Sequence, residues 1–430
     1  MPEVLTAARV VTGEQAVTDG AVVVGDTTVD WAGPAAELPA RYAELPRTSY
    51  PRSTIMPGLI DCHVHLGFDG APSPAARMRR ETDEQQLVLM LRSARELLGI
   101  GVTTARDLGG RGYLGVVVRD AIATGLARGP RLVVAASPVT VTGGHCWFMG
   151  GEADGDDELR KIVRTHHKRG ADLIKVMSTG GFMTPGSAPW YAQFTSEQLS
   201  IIVEEASRVD MPVAAHAHGI EGIRRAVEAG VSTIEHCSFV TETNERVFSE
   251  SLAAEIAVRG IAVCPTVSSN APFVAKLTGV VVGKNVKAMH ELGVRIIAGT
   301  DAGIDNTPHH QFVGGLEYLV SNGLRPHEVL AMATTQAAAA LGLEAVTGRL
   351  APGYEADLIV VDGDPMADIS ALGSLRRVIA RGRDYVPDSG RFDVSAPGSP
   401  FASPDFLPDA LLVRLATTRR QARAGAARRR

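Results

Sequence analysis

The 430-residue chain has no apolar run approaching the roughly 18 residues needed to cross a bilayer. Its opening, Met1-Pro-Glu-Val-Leu-Thr-Ala-Ala-Arg9, lacks the basic start and apolar stretch of a secretory signal. A soluble, cytoplasmic protein with no membrane partner is therefore expected. Cysteine is scarce: Cys62, Cys146, Cys237 and Cys264 are the four, and no CxxC pair occurs. That argues against a disulfide scaffold and against thiolate metal ligands, leaving reduced thiols buried as small apolar side chains. An excess of positive charge is also lacking. With 43 Lys and Arg against 48 Asp and Glu, the net charge is -5. No overall basic field is on offer to a nucleic acid backbone, so nucleic acid is not an expected partner.

What the chain does have is 45% hydrophobic residues, ample for a sizeable core. The first 55 residues alternate short β-rich runs (Ala8–Val11, Ala21–Val24, Thr28–Trp31) with Gly and Pro turns, the pattern of a small antiparallel sheet. Similar runs return at Gly353–Asp364 and Arg377–Tyr385. Both ends are thus expected to build one β-sandwich, from residues 1–56 and 349–390, with residues 57–348 inserted between them. In that insert eight apolar runs alternate with helical patterns: Leu59–His65, Thr103–Asp107, Leu132–Val139, Leu173–Ser178, Val213–His216, Thr233–His236, Ala262–Thr266 and Arg295–Thr300. Helical stretches such as Ser196–Arg208, with Thr195 or Ser196 as N-cap, and Pro326–Leu341 separate them. Eight strands and eight crossovers in under 300 residues predict an α/β fold, a (β/α)8 TIM barrel. Residues 391–430, Pro- and Ser-rich and then Arg-rich, read as a solvated extension.

Chemistry-bearing residues sit at the ends of these runs, where a barrel places its active site. His63 and His65 stand two apart at the end of Leu59–His65, on one face of a strand, and can share a metal ion. Lys175, His216, His236 and Asp301 end four later runs. His218 is two residues from His216 and could equally point inward, so periodicity does not choose between them. His145 lies on the glycine-rich Thr142-Gly-Gly-His-Cys146 loop, where backbone can approach a ligand closely. His309 and His310 could line a pocket, while His166, His167, His290 and His327 fall in helical stretches and read as surface residues.

The ordered set, Pro57-Gly-Leu-Ile-Asp61 leading to His63-Val-His65 and then Lys, His, His and Asp, resembles the amidohydrolase superfamily. More narrowly it is similar to the imidazolonepropionase-like and prolidase-like branch, over residues 1 to 390. The resemblance implies two divalent metal ions, most plausibly zinc. His63, His65 and Asp301 would hold one, His216 and His236 the other, and carbamylated Lys175 would bridge them. An ammonium has no lone pair, so Lys175 could serve as a ligand only as a carbamate. Two metals would make hydroxide available near neutral pH to attack an amide carbonyl. Asp301 would shuttle the proton to the leaving nitrogen, with His145 polarising the carbonyl and His218 contacting substrate.

The expected activity is that of a dipeptidase, carboxypeptidase or N-acyl amino acid hydrolase. Follower-peptide removal from a larger peptide natural product is an alternative, as is a mononuclear deaminase or cyclic amidase. Proline-selective members use a tyrosine after the fifth-strand histidine for the substrate carboxylate, and residues 219–225 contain none. Arg224 and Arg225 lie there instead. Phe148–Gly155 and Gly180–Gly186 are expected to form a roomy apolar and acidic rim. Assembly into a homo-oligomer is left open.

Overall fold

β-Branched runs closed by polar turns become the first strands of the chain: β1 (Glu3–Val11), β2 (Ala16–Val24), β3 (Val29–Pro34) and β4 (Arg47–Pro57). The computed structural model describes residues 2–278 and 281–386, with the side chains of 277 and 278 left aside. The extension from residue 391 and the last residues of the 349–390 segment lie outside the described residues. β4 has no counterpart in the pattern reading, because its first half is polar and contains Pro51, which cannot donate to a ladder. It fits because the pairing with β1 slips: Ala7 faces Tyr50 but Arg9 faces Thr54, and the proline falls within the irregularity.

The chain then runs through seven parallel strands, β5 (Leu59–Val64), β6 (Val102–Asp107), β7 (Arg131–Val134), β8 (Ile174–Met177), β9 (Val213–Gly219), β10 (Thr233–Val240) and β11 (Ala262–Cys264). It ends in β12 (Leu358–Asp362), β13 (Leu375–Ala380) and β14 (Arg383–Tyr385). Strands from both ends hydrogen-bond into one sheet of order β14-β13-β12-β4-β1-β2-β3. A two-layer sandwich is not seen among the described residues, and the sheet is mixed rather than antiparallel, since β1 and β4 run parallel. Leu5, Val22 and Ile55 pack with Leu358 and Val360 in one cluster, so each end of the chain covers apolar surface of the other.

The parallel strands form two arcs, β5-β6-β7 and β8-β9-β10-β11. Beyond the short β7, Val139 N–H donates to Lys175 O at 2.7 Å and accepts from Met177 N–H at 2.8 Å through its own carbonyl. The expected eighth run, Arg295–Thr300, is not a regular strand but is bonded on both sides. Ile297 N–H donates to Val263 O, Cys62 N–H to Ala298 O and Asp301 N–H to His63 O, at 2.8 to 2.9 Å. Isolated parallel bridges pair Val263 with Ile296 and Val64 with Ala302.

Helices flank the strands. Thr82 and Thr195 each close a capping box, on Asp83–Gly99 with Gln85 and on Ser196–Ser207 with Gln198. The expected Pro326–Leu341 helix is two, Pro326–Met332 and Thr335–Ala340, broken at Thr334. Val329, Leu330 and Met332 of the first join the largest core cluster with Ile174, Val176 and Ile234, each such side chain contributing about 1.5–3 kcal/mol by burial, whereas Ala337 and Ala338 of the second pack with Ile60 and Ile297. No helix among the described residues is long and apolar enough to cross a membrane.

Candidate active site

The C-terminal ends of the parallel strands surround a cavity of about 340 Å³. His63, His65, His145, Lys175, His216, His218, His236 and Asp301 all line it. His309 and His310 do not border it; His309 is buried elsewhere and His310 is exposed. His166, expected at the surface, is buried: its Nε2 lies 2.7 Å from Ser137 O and its Nδ1 3.2 Å from Tyr113 Oη. Those two fixed partners offset the loss of water for a neutral imidazole. His167 and His327 are exposed and His290 is half-buried beside Glu328.

His63 and His65 are each tethered at Nδ1, His63 by Glu235 Oε2 and His65 by Gly109 O, both at 2.8 Å. This leaves both Nε2 atoms turned to Asp301 Oδ1, at 3.3 and 3.1 Å. Such outer partners fix the tautomer and aim the free nitrogen. Burial pushes the Asp301 carboxyl up, but the two imidazoles outweigh it and hold the group well below the usual carboxylate range.

Across the cavity, His216 Nδ1 lies 2.8 Å from His236 Nε2, and His218 stacks on His236 with ring centroids 4.3 Å apart. His236 Nδ1 is 2.8 Å from Thr266 Oγ1, and His218 Nδ1 is 2.9 Å from Ser238 Oγ. Burial, with cationic neighbours adding to it, holds His216, His218 and His236 well below the ordinary histidine value, so these imidazoles are neutral and each keeps one ring nitrogen able to act as a donor to an ion. Ring nitrogens of His216, His218 and His236 come close enough to hold one ion, as do donors of His63, His236 and Asp301. Both candidates on β9 therefore reach the cavity.

Lys175 stands between these groups, 1% exposed, and its Nζ has no hydrogen-bond partner. Burial lowers its pKa, with Glu235 and Asp301 opposing. His145 comes in from the loop after β7. Its backbone N–H donates to Gln193 Oε1 at 2.7 Å, and its Nδ1 is buried without a partner. Burial takes this imidazole down to about 3. Gly181 is required beside it, since a Cβ there would lie 2.4 Å from the ring.

Two charged residues were given no role by the sequence reading. Glu235, fully buried, accepts from Arg106 Nη2 at 2.8 Å and Thr233 Oγ1 at 2.6 Å besides holding His63. Arg106, 2% exposed, also donates to Cys62 O and Thr233 Oγ1. Burial would raise the Glu235 carboxyl, yet Arg106 and His63 keep it ionised and well below its ordinary value. A charge inside an apolar strand run, as in Thr-Ile-Glu-His and Thr-Ala-Arg-Asp, was the available signal. Asp61 beneath His63 accepts from Thr300 N–H and Oγ1 and from His63 N–H, while burial raises its carboxyl to about 7.

The rim differs from expectation. Phe182 and Met183 do line the cavity, but the Phe148–Gly155 run does not. Its acids, Glu152 and Asp154, accept from Gly143 and Thr142 of the neighbouring loop. Arg225 is occupied by Glu221 and Phe194 O, and Arg224 lies outside the cavity.

A parallel α/β scaffold whose strand ends gather neutral imidazoles, an ionised aspartate and an unpaired amine defines a class of sites able to hold divalent ions. The sequence signature of the Amidohydrolase family matches residues 54–383. Ochratoxinase of Aspergillus niger is 31% identical over 395 residues, covering 82% of this chain and 79% of that protein. Imidazolonepropionase of Paracoccus denitrificans is 26% identical over 375 residues, covering 80% and 88%. Among solved structures, a Xaa-Pro dipeptidase with methionine bound in its active site superposes with a TM-score of 0.81 at 28% identity, covering 90% of this chain and all of that one. The chain belongs to the amidohydrolase family, and it is a hydrolase acting on C–N bonds.

Proposed function

We propose that this chain hydrolyses the amide bond of an N-acyl amino acid or short peptide, using two divalent metal ions, zinc on the character of the donors. His63, His65 and Asp301 would hold one ion, His216 and His236 the other, and Lys175, as its carbamate, would bridge them. The observation that carries this reading is Lys175: a buried amine, its pKa lowered and its Nζ unpartnered, amid imidazole and carboxylate donors suited to such ions. The one thiol grouped with them, Cys264 beside His63 and Glu235, is kept protonated by burial. A neutral amine is nucleophilic enough to take up carbon dioxide; a mononuclear deaminase would leave it without a purpose. When bound, two such ions make hydroxide available near neutral pH.

The protein's own groups supply the rest. Asp301, ionised and facing the cavity, takes the proton of the attacking water as oxygen adds to the carbonyl carbon. It returns that proton to the nitrogen as the C–N bond breaks. His145, kept neutral by burial, donates N–H to the carbonyl oxygen as negative charge develops there. His218 stacks on His236 and contacts substrate.

The bridges at Val139, Val263 and Val64 support closure of the two arcs into a (β/α)8 barrel over residues 57–348, with residues 1–56 and 349–390 as the terminal sheet. Four free, buried cysteines suit a reducing, cytoplasmic setting. Metal analysis combined with turnover of a dipeptide and N-acyl amino acid library tests the reading. Two metal equivalents and amide cleavage are expected; one equivalent with an unmodified Lys175, or deamination alone, would overturn it.

A further inference from the structure

His145 differs from the other imidazoles of the cavity in how it is held. His63, His65, His216, His218 and His236 are each fastened at a ring nitrogen. Among the described residues no group hydrogen-bonds the His145 ring, and its Nδ1 is buried without a partner. Its place therefore depends on its backbone and on what packs against the ring. Both are set by one segment, residues 179–193, between β8 and the helix Ser196–Ser207.

Gln193 makes the main contact. Its Oε1 accepts from His145 N–H at 2.7 Å, while its Nε2 donates to Thr140 Oγ1 at 3.0 Å and to Met177 O at 2.8 Å. One side chain thus ties the His145 loop, at two points, to the last residue of β8, the strand that carries Lys175. The amide faces only one way: turned over, it would set its own N–H against that of His145 and its oxygen against Met177 O. The approach is close, since a Cβ on Gly144 would lie 2.7 Å from Gln193 Oε1. Gln193 is itself fixed, because its backbone N–H donates to Ser178 O at 2.9 Å and Thr195, two residues on, caps the following helix. From the same segment Thr184 Oγ1 accepts from Cys146 N–H at 2.9 Å, and Gly181 lies against the His145 ring. The segment also gives Phe182 and Met183 to the cavity wall, so one piece of chain sets both the wall and His145.

We infer that Gln193 is a positioning residue: by fixing the His145 backbone against the end of β8, it keeps an otherwise untethered imidazole aimed into the cavity. This rests on the carbonyl-polarising role given to His145 above. Misplacing such a group weakens a contact that forms as charge develops on the carbonyl oxygen, more than it weakens binding of the ground state, so the loss falls on kcat.

The test compares the metal-loaded native chain with Q193L, H145A and the double variant, on an amide that the dipeptide and N-acyl amino acid library shows to be cleaved. Q193L should keep its metal and lose roughly 10- to 100-fold in kcat, with KM within about threefold of native. In the H145A background Q193L should cost less than about twofold more, because Gln193 then has no imidazole to position. Nitrogen–proton correlation spectra of the zinc-loaded protein with labelled histidines give a readout independent of turnover. The His145 signals, assigned by their loss in H145A, should shift or broaden in Q193L while those of His63 and His65 stay in place. Q193M, unbranched like glutamine, takes the place of Q193L if the leucine variant does not fold. Native kcat in Q193L, losses that multiply in the double variant, or unmoved His145 signals overturn the inference. If H145A keeps native turnover the polarising role fails, and if no amide is cleaved the hydrolase reading fails; in either case the spectra alone decide whether Gln193 holds the ring, and unmoved signals overturn it.

Discussion

Replacing Glu235 by alanine should destabilise the metal-stripped protein by about 3–5 kcal/mol, the usual effect of removing one partner of a buried ion pair. The magnitude follows from what stays behind. Arg106 is 2% exposed and would keep only Cys62 O and Thr233 Oγ1, at 2.7 and 3.0 Å, for a full charge out of reach of water. Glu235→Gln keeps the volume but removes the neutralising charge, and its amide cannot accept from Arg106, Thr233 and His63 with both heads. The pair Arg106→Met with Glu235→Leu removes both charges. Its cost should fall well short of the sum of the single changes, because a buried pair replaced by apolar groups is often near neutral. Urea midpoints at constant slope provide the comparison, with coincident fluorescence and circular-dichroism transitions as the test that unfolding is two-state. Single variants within about 1 kcal/mol of the native chain, or a strictly additive double variant, would refute the reasoning. Titration with zinc gives a second readout: losing the carboxylate that fixes His63 should weaken metal binding about 10- to 100-fold.

Lys175→Ala should lose metal and nearly all turnover, and bicarbonate should speed reactivation of the native apoprotein but not of the variant; full metal content in the variant would contradict the bridging role. Asp301→Asn should retain most metal but abolish hydrolysis. Asn tolerates the left-handed backbone at this position, φ +62°, so the change tests chemistry rather than folding. Burial holds His145 and His309 near 3 in the fold, whereas an unfolded imidazole titrates near 6.5. Below about 6.5 the unfolded chain therefore binds more protons, and stability should fall with pH toward 3, each group adding up to about 1.4 kcal/mol per pH unit. Urea midpoints of metal-free protein from pH 7 to 5 measure this, and His309→Gln should flatten the slope; an unchanged slope would count against it. Deleting residues 1–46 should lower the melting temperature markedly, since Leu5, Val22 and Val29 pack on Leu358 and Val360; an unchanged melt would show that the two ends are independent.

Strand periodicity made much of the parallel core legible, because β-branched runs such as Leu-Ile-Lys-Val and Val-Ala-Ala-His are short, apolar and separated by capped helices. It missed β4, whose polar first half and Pro51 are tolerated only at a slip in pairing with β1. It overstated the Arg295–Thr300 run. Gly299 there sits against Cys264 and the His63 backbone, so the segment threads between β11 and β5 by bridges rather than as a regular ladder. His166 was misjudged because a histidine in an amphipathic helix looks solvated until its two fixed partners, Ser137 O and Tyr113, are known.

At the site, the residue types were legible and their aim was not. Strict alternation puts consecutive strand residues on opposite faces, yet Glu235 reaches His63 while His236 reaches His216. The backbone resolves this by turning left-handed at His236, φ +68°, with Cys237 and Phe239 following, and pairing with β9 slips beyond His236. Thr266 and Asp301 take the same conformation, at φ +53° and +62°. Such geometry costs on the order of 1–3 kcal/mol per residue and persists only where the surroundings enforce it. Here the enforcement is visible: His236 is held by Thr266, Asp301 by His63 and His65, and His63 in turn by Glu235 and Arg106. The strained strand ends and the buried ion pair therefore form one structure, in which the charge that a pattern reading passes over keeps the imidazoles it singles out facing the cavity.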